Sequence, residues 1–241
     1  MDKAITPVLL AGQRVQRARV ELVATNLANL ATDGFRAQAA IASEHVMSRG
    51  GASISMPRLA ASLSDQRPGA VQATGSPLDF AIEGEGAFML ALPDGRQVLT
   101  RAGHFVRDAE GNLAAPDGAL VLDEAGQPIA LPPGAAPVAA APDGTLSIDG
   151  AIVARLGVFA VDPVADPDAR LPGARREAAD APQPVVAPRV RQGMIEGSNV
   201  SPVESLAEMI DASRSYEMIQ SLIEEDDRRL RNVIETFSRQ T

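Results

Sequence analysis

Glu83 and Glu85, together with His45 and His104, are the side chains in this sequence that come closest to catalytic or metal-binding equipment. A pair of carboxylates can cleave a glycosidic bond, one donating a proton while the other attacks or activates water. On a strand Glu83 and Glu85 share a face, but they also flank Gly84 in Gly84-Glu85-Gly86, which reads as well as a solvated turn. That segment opens like a dinucleotide-binding loop and lacks the third glycine and the following helix. The two histidines are the only ones and are far apart, without ligand spacing. There is no cysteine, so no thiolate, disulfide or cysteine–metal site. G-x-S-x-G, P-loop and HExxH patterns are absent. The residues therefore predict no catalytic, cofactor-binding or metal site.

The stronger signal lies in the elements at the two ends. From Leu206, the positions Leu206, Met209, Ser213, Tyr216, Gln220, Ile223, Asp227, Leu230, Ile234 and Phe237 follow alternating steps of three and four. The N-terminal stretch reads the same way through Ile5, Val8, Gly12, Val15, Arg19, Leu22, Asn26 and Asn29. Such a stripe needs a partner helix to cover it. Ser201 is the candidate N-cap of the last helix, with Pro202 in its first turn and Glu204 at capping-box spacing. No later glycine or proline interrupts it, so it is predicted to run nearly to Thr241. The first helix is predicted to end near Thr32-Asp33-Gly34, where glycine accepts the left-handed conformation.

Ser213, Gln220 and Asp227 recur on one heptad position, a polar layer that weakens self-association and fixes register with a chosen partner. The open alternative is a wider amphipathic face that includes Ile210, Ile219, Leu222 and Val233 and leaves Asp227 in solvent. Residues 1–36 carry a charge balance of +2 and residues 203–241 one of −4, which favours contact between the ends. Exposed pairs contribute only about 0.2–1 kcal/mol each.

Between the ends, short apolar runs at Leu78–Ile82, Ala87–Leu92, Val98–Arg101, Leu120–Leu122 and Val153–Val161 alternate with Pro93-Asp94-Gly95, Glu110-Gly111-Asn112, Pro116-Asp117-Gly118, Pro142-Asp143-Gly144 and Asp149-Gly150. These turns predict antiparallel hairpins. Phe35–Met47 reads as extended or irregular, Ser48–Arg67 as a flexible connector, and the proline-rich Asp162–Pro188 as a surface loop or exposed edge.

The predicted fold is α+β: long N- and C-terminal helices packing as a coiled-coil-like unit, with a central β-rich antiparallel domain. Residues 1–34 form an N-terminal assembly helix, 35–75 an extended connector, 76–190 the β-rich outer domain, and 191–241 a return segment and C-terminal assembly helix.

Composition agrees with assembly rather than chemistry. The chain has 241 residues, ordinary apolar content, 3% aromatics and no tryptophan, which argues against one large aromatic-rich core. Its net charge is −9 and Lys3 is its only lysine, so nucleic acid and anionic membrane are poor partners. No apolar stretch is long enough to span a bilayer, and the N-terminus lacks the layout of a cleaved secretory signal.

Several segments resemble one family. Thr25-Asn26-Leu27-Ala28-Asn29 followed by Thr32-Asp33-Gly34-Phe35-Arg36 is similar to the N-terminal signature of the flagellar rod and hook proteins, NNLAN then T-x-GF-K/R, with Thr25 in place of an asparagine. Leu78 to Phe88 resembles the family's LD-x-AI-x-G-x-GFF, with Ala87 replacing the first aromatic. Thr100 to Phe105 resembles TR-x-G-x-F, and Asp108 to Leu113 resembles D-x-x-GNL. Gly193 to Val200, then Glu204, Met209-Ile210 and Arg214-Ser215-Tyr216-Glu217, resembles G-x-x-E-x-SNV…E…MI…R-x-YE. The order matches over most of the chain, and the wording from Gly197 to Glu204 is most like the proximal-rod members.

The resemblance implies a structural subunit of the bacterial flagellar basal-body rod, which crosses the periplasm. It implies export through the flagellar type III apparatus without signal cleavage. It also implies helical assembly with copies of itself and other rod proteins, the terminal helices enclosing the export channel and transmitting torque. A distal-rod or hook-type axial protein is the nearest alternative. A β-rich extracellular binding module with a helical oligomerisation stalk is the other.

The residues expected at the assembly interface are Ile5, Val8, Val15, Leu22, Asn26, Leu27, Asn29, Gly34 and Phe35, with Leu206, Met209, Ser213, Arg214, Tyr216, Glu217, Gln220, Ile223, Leu230, Ile234 and Phe237. Asn26 and Asn29 share a helical face and suit either partner contacts or capping of a fraying turn. Gly34 is expected at positive φ, with Phe35 anchoring the turn against the C-terminal helix. Arg214 and Glu217 suit subunit contacts, and Tyr216 suits packing.

Overall fold

The computed structural model describes residues 5–49, 52–133, 137–162, 164–165, 174–177 and 182–238. Helix α1 (Ile5–Ala28) opens the chain. Strands β1 (Gln38–Arg49) and β2 (Ala52–Ser64) follow as a long antiparallel hairpin whose ladder runs from Gln38–Ser64 to Arg49–Ala52, with a bulge between Ile41 and Ala42. Phe35–Met47, expected to be extended or irregular, is extended from Gln38 onward, whereas Ser48–Arg67, expected to be a flexible connector, is largely strand β2. Gly50-Gly51 lies between the two strands, and two residues of that type are a hairpin signal.

The β-rich domain begins with β3 (Val71–Ala73) and β4 (Phe80–Glu83). It continues through β5 (Ala87–Ala91), β6 (Gln97–Thr100), β7 (Val106–Arg107), β8 (Leu113–Ala114) and β9 (Leu120–Val121). Strands β10 (Val138–Ala140), β11 (Thr145–Ile148) and β12 (Ala151–Arg155) form a three-stranded meander, and β13 (Val158–Phe159) returns to pair with β5. Strand β14 (Val164–Ala165) pairs with β2, and β15 (Arg175–Glu177) with β6. Finally β16 (Arg189–Gln192) pairs with β4 and β17 (Met194–Glu196) with β3, before α2 (Pro202–Ser238). The largest sheet has the order β15-β6-β5-β9-β8-β7, and every ladder named here is antiparallel.

The Asp-Gly signals produce these turns by a shared device. The carboxylates of Asp94, Asp117 and Asp143 each accept the backbone N–H two residues on, a local bond that closes the turn before its strands pair. At Asp149-Gly150, between β11 and β12, both residues have positive φ (52° and 81°), the requirement of a tight two-residue hairpin. Between the sheets the core buries Phe80, Phe88, Phe105, Leu113, Leu146 and Leu156. Phe88 meets Phe105 edge-on, with centroids 5.4 Å apart at 78°. Of the stretch Asp162–Pro188, residues 163, 166–173 and 178–181 lie outside the described residues; the remainder supplies β14 and β15.

The coiled-coil-like unit expected of the terminal helices is corrected by the structure. Two helices flank a large β-rich domain. They run antiparallel, as Thr6 meets Asp226 while Arg19 meets Glu208, but a heptad seam of apolar layers does not join them. Leu206, Gln220 and Asp227, all expected in that seam, are exposed. The positions one residue earlier in each heptad turn inward instead: Ser205, Ala212 and Asp226 are buried. Ile219 faces Gly12, where a Cβ would stand in ordinary contact with Ile219 Cδ1 at 3.6 Å. Helix α1 also divides its surface between α2 and both strands of the β1–β2 hairpin. Asp227 stands in solvent, as the alternative wider-face reading held, while Ile210 and Leu222 are exposed rather than covered.

Candidate assembly surface and the joint that carries it

A joint connects the helices and hairpin to the β-rich domain, and the motif residues converge on it. Where α1 ends, the side chain of Asn26 turns onto the first residue of β1. Its Nδ2 donates to Gln38 O at 2.8 Å, and its Oδ1 accepts from Gln38 N at 2.9 Å. The carboxamide thus serves as one residue of partner strand, and burial of Asn26 is tolerable because donor and acceptor are both used. Asn29 Nδ2 donates to Thr25 O and its Oδ1 accepts from Thr32 Oγ1, so the side chain caps the last turn. Gly34 follows at φ 67° and donates its N–H to Glu196 O at 2.7 Å. A Cβ there would stand 2.2 Å from the Arg101 carbonyl carbon, so only glycine fits.

At the centre is Glu196, 1% exposed. Its Oε1 pairs with Arg36 Nη2 at 2.6 Å and accepts from Gly69 N at 3.0 Å, and its Oε2 pairs with Arg101 Nη1 at 3.1 Å. Arg101 also donates to the carbonyls of Ile82 and Gly84, and Arg36 to that of Gln66. Burial pushes the guanidiniums of Arg36 and Arg101 below their ordinary range, and Glu196 opposes the shift. Asn199 completes the joint: its Oδ1 accepts Ala37 N at 2.7 Å and its Nδ2 donates to the carbonyls of Asp65 and Arg67. Four chain segments distant in sequence are therefore held by charged and amide groups whose bonds are made within the protomer.

Sequence reasoning quoted Arg36, Arg101, Glu196 and Asn199 as motif members without assigning them a role. The available signal was their type: two arginines and an acid in segments otherwise rich in glycine, a combination that a buried ion network uses. The contacts Thr6–Asp226 and Arg19–Glu208 were likewise unassigned.

Asn26 and Phe35, at 5% and 2% exposure, and Gly34 are spent inside the joint. Val8, Val15, Leu22, Leu27, Asn29, Met209, Ser213, Tyr216 and Ile223 are half-buried. Arg214, Glu217 and Gln220 are exposed with Leu206. Ile5, Leu230, Ile234 and Phe237 lie in the helices, with their side chains outside the described residues. The N-cap is made as expected: Glu204 N donates to Ser201 Oγ at 3.4 Å. Opposite its α1-facing side, α2 carries an exposed row at steps of four, namely Leu206, Ile210, Met218 and Leu222, with Arg214 between them. A row at that spacing is the ridge by which one helix enters the groove of another.

Glu83 ends β4 and Glu85 lies in the bend that follows, both exposed, and His45 is exposed on β1. His104 Nδ1 lies 2.7 Å from Asp79 Oδ1, and Thr74 Oγ1 donates to the other oxygen of that carboxylate. Among the described residues there is no group of three or more potential metal ligands, and no helix is long and apolar enough to cross a membrane.

Comparison with known proteins matches the segments that hold Arg101, Glu196, Asn199 and most of α2. Residues 191–236 match the family described as flagellar basal body rod FlgEFG protein C-terminal, and residues 81–148 match the flagellar hook protein FlgE/F/G D1 domain. The flagellar basal-body rod protein FlgF of Mesorhizobium japonicum is 32% identical over 219 residues, covering 90% of each chain. That of Rhizobium meliloti is 32% identical over 233 residues, covering 95% of this chain and 96% of its own. The flagellar basal-body rod protein FlgG of Agrobacterium fabrum is 27% identical over 258 residues, covering 90% and 92%.

Proposed function

This chain belongs to the flagellar basal-body rod protein family, and from that premise we propose how it serves as a structural axial subunit of the bacterial flagellum. The outward ridge of α2 is the surface by which it joins copies of itself and other rod proteins. The observation that carries this reading is the row Leu206, Ile210, Met218 and Leu222, exposed on a helix whose opposite side is already occupied by α1. Exposed apolar groups in such a row mark a contact surface. At roughly 25 cal/mol per Å² of apolar area, repeated modest contacts along a helical stack sum to a stable rod.

In the assembled rod the paired helices form the inner layer around the export channel, and the β-rich domain lies outside. The joint at Glu196 passes torque between the two. The identities support a proximal-rod place, since relatives named FlgF stand at 30–34% and relatives named FlgG at 27–29%. The type III export apparatus delivers the chain, and its place is the basal body. The role is mechanical and calls for no reaction. The test is fractionation of basal bodies stripped of filament and hook. The chain is expected to remain with the rod; recovery only in the soluble fraction, in cells with complete flagella, contradicts the reading.

A further inference from the structure

Asp-Gly occurs five times in the chain, at Asp33-Gly34, Asp94-Gly95, Asp117-Gly118, Asp143-Gly144 and Asp149-Gly150. This dipeptide carries a latent reaction, because a glycine nitrogen, unshielded by any Cβ, can attack the side-chain carboxyl of the aspartate before it. The fold decides at each place whether that nitrogen is available. At four of the five the glycine N–H is already engaged: Gly34 donates to Glu196 O at 2.7 Å, and Gly95, Gly118 and Gly144 donate to the carbonyls of Leu92, Ala115 and Ala141 at 2.9 Å each. A nitrogen so held must first give up its bond. Three of the carboxylates are occupied as well. Asp94 accepts Arg96 N, Asp117 accepts Ala119 N and pairs with Arg175, and Asp143 accepts Thr145 N. The Asp33 carboxyl has no such bond, but Gly34 is buried against the backbone of Arg101 and Ala102.

Asp149-Gly150 differs on each count. It is the two-residue tip between β11 and β12, and both residues are exposed. Among the described residues neither the Gly150 N–H nor the Asp149 carboxylate has a hydrogen-bond partner. A Cβ at Gly150 would meet nothing within 4 Å, so a ring formed there has room. We infer that Asp149 is the site at which the folded chain converts aspartyl to isoaspartyl. The Gly150 nitrogen bonds to Asp149 Cγ and loses its proton, while a Cγ–O bond of the protonated carboxyl breaks and that oxygen leaves as water. The resulting five-membered succinimide takes up one water. Opening between the Asp149 carbonyl carbon and the nitrogen leaves the chain running through Cγ, whereas opening at Cγ restores aspartate. One water leaves, one enters, and nothing is oxidised or reduced. The product carries an extra methylene in a turn that closes with two residues at positive φ, so the β11–β12 hairpin is loosened. The inference does not depend on where the chain assembles.

The experiment ages the full chain in water enriched in ¹⁸O, one portion folded and one in denaturant. Each is then digested in ordinary water with a protease that cuts before aspartate and not before isoaspartate. In the folded portion, loss of cleavage at Asp149 and uptake of one heavy oxygen there are expected several-fold faster than at Asp33, Asp94, Asp117 or Asp143. In denaturant, where no turn survives, the five places are expected to react at rates within a few-fold of one another. Asp149→Glu, whose ring would need a sixth member, is expected to remove the label from that peptide. The inference is overturned if any of the other four reacts as fast as Asp149 in the folded chain, or if no label enters. It is equally overturned if the preference for Asp149 persists unchanged in denaturant, since neighbouring sequence rather than the fold would then set it.

Discussion

Glu196 is the residue on which the joint turns, because its two oxygens hold arginines from separate segments and its burial leaves water no role in replacing it. Glu196→Gln keeps the shape and removes the charge, stranding two guanidiniums in a poorly solvated site. Breaking a buried pair from one side costs about 3–5 kcal/mol. Chemical denaturation of the variant is expected to show a loss of that order, and an unchanged midpoint contradicts the joint as described. Asp33 gives the opposite kind of test. Its carboxyl is raised above the ordinary range, chiefly by burial, with His104 opposing and Asp79 adding to the shift. A folded-state value above the unfolded one means stability present at low pH is lost as pH rises through the folded value. Asp33→Asn, neutral throughout, should therefore unfold at higher denaturant than the native chain at pH 7, and match it near pH 3. A variant less stable at pH 7 refutes this sign.

At the scale of elements, α2 has one face committed to α1 and a ridge left exposed among the described residues. Met218 is 65% exposed and Leu222 is its neighbour in the row. The double change Met218→Asp with Leu222→Asp should alter stability by no more than about 0.5 kcal/mol per site, as exposed positions do. It should nevertheless abolish incorporation into rods, read as loss of swimming with the soluble chain intact. Unimpaired swimming argues against the ridge as the contact surface.

The two helices, the Ser201 cap and the Asp-Gly hairpins were legible because each rests on short-range chemistry that neighbouring residues supply. The line of contact on α2 was half legible. Met209, Tyr216 and Ile223 do turn inward, but alternate members fall on Ser205, Ala212 and Asp226, residues too small or too polar to signal burial by hydropathy. Their burial depends on the packing of α1 against α2 and on partners such as Thr6 that lie more than two hundred positions away. The β1–β2 hairpin was obscured by its alanine and serine content, which weakens strand alternation. The joint was illegible as a site because its bonds join residues 36, 101 and 196, and only the fold brings them together.

As a whole molecule, the chain brings its two ends side by side, braces α1 with the hairpin, and fastens both to the β-rich domain through one buried network. That arrangement suits the proposed axial role, in which the ends would meet neighbours, the domain would face outward and the joint would pass force between them. The native sequence has no cysteine, so one introduced thiol reports a single place without interference. Met218→Cys, treated in isolated basal bodies with a short thiol-to-amine or thiol-to-thiol cross-linker, is the most direct measurement. Assembly through the α2 ridge predicts an adduct between neighbouring axial subunits in intact rods that is missing from the free chain. A thiol that stays freely reactive in intact rods, with no adduct formed, contradicts it.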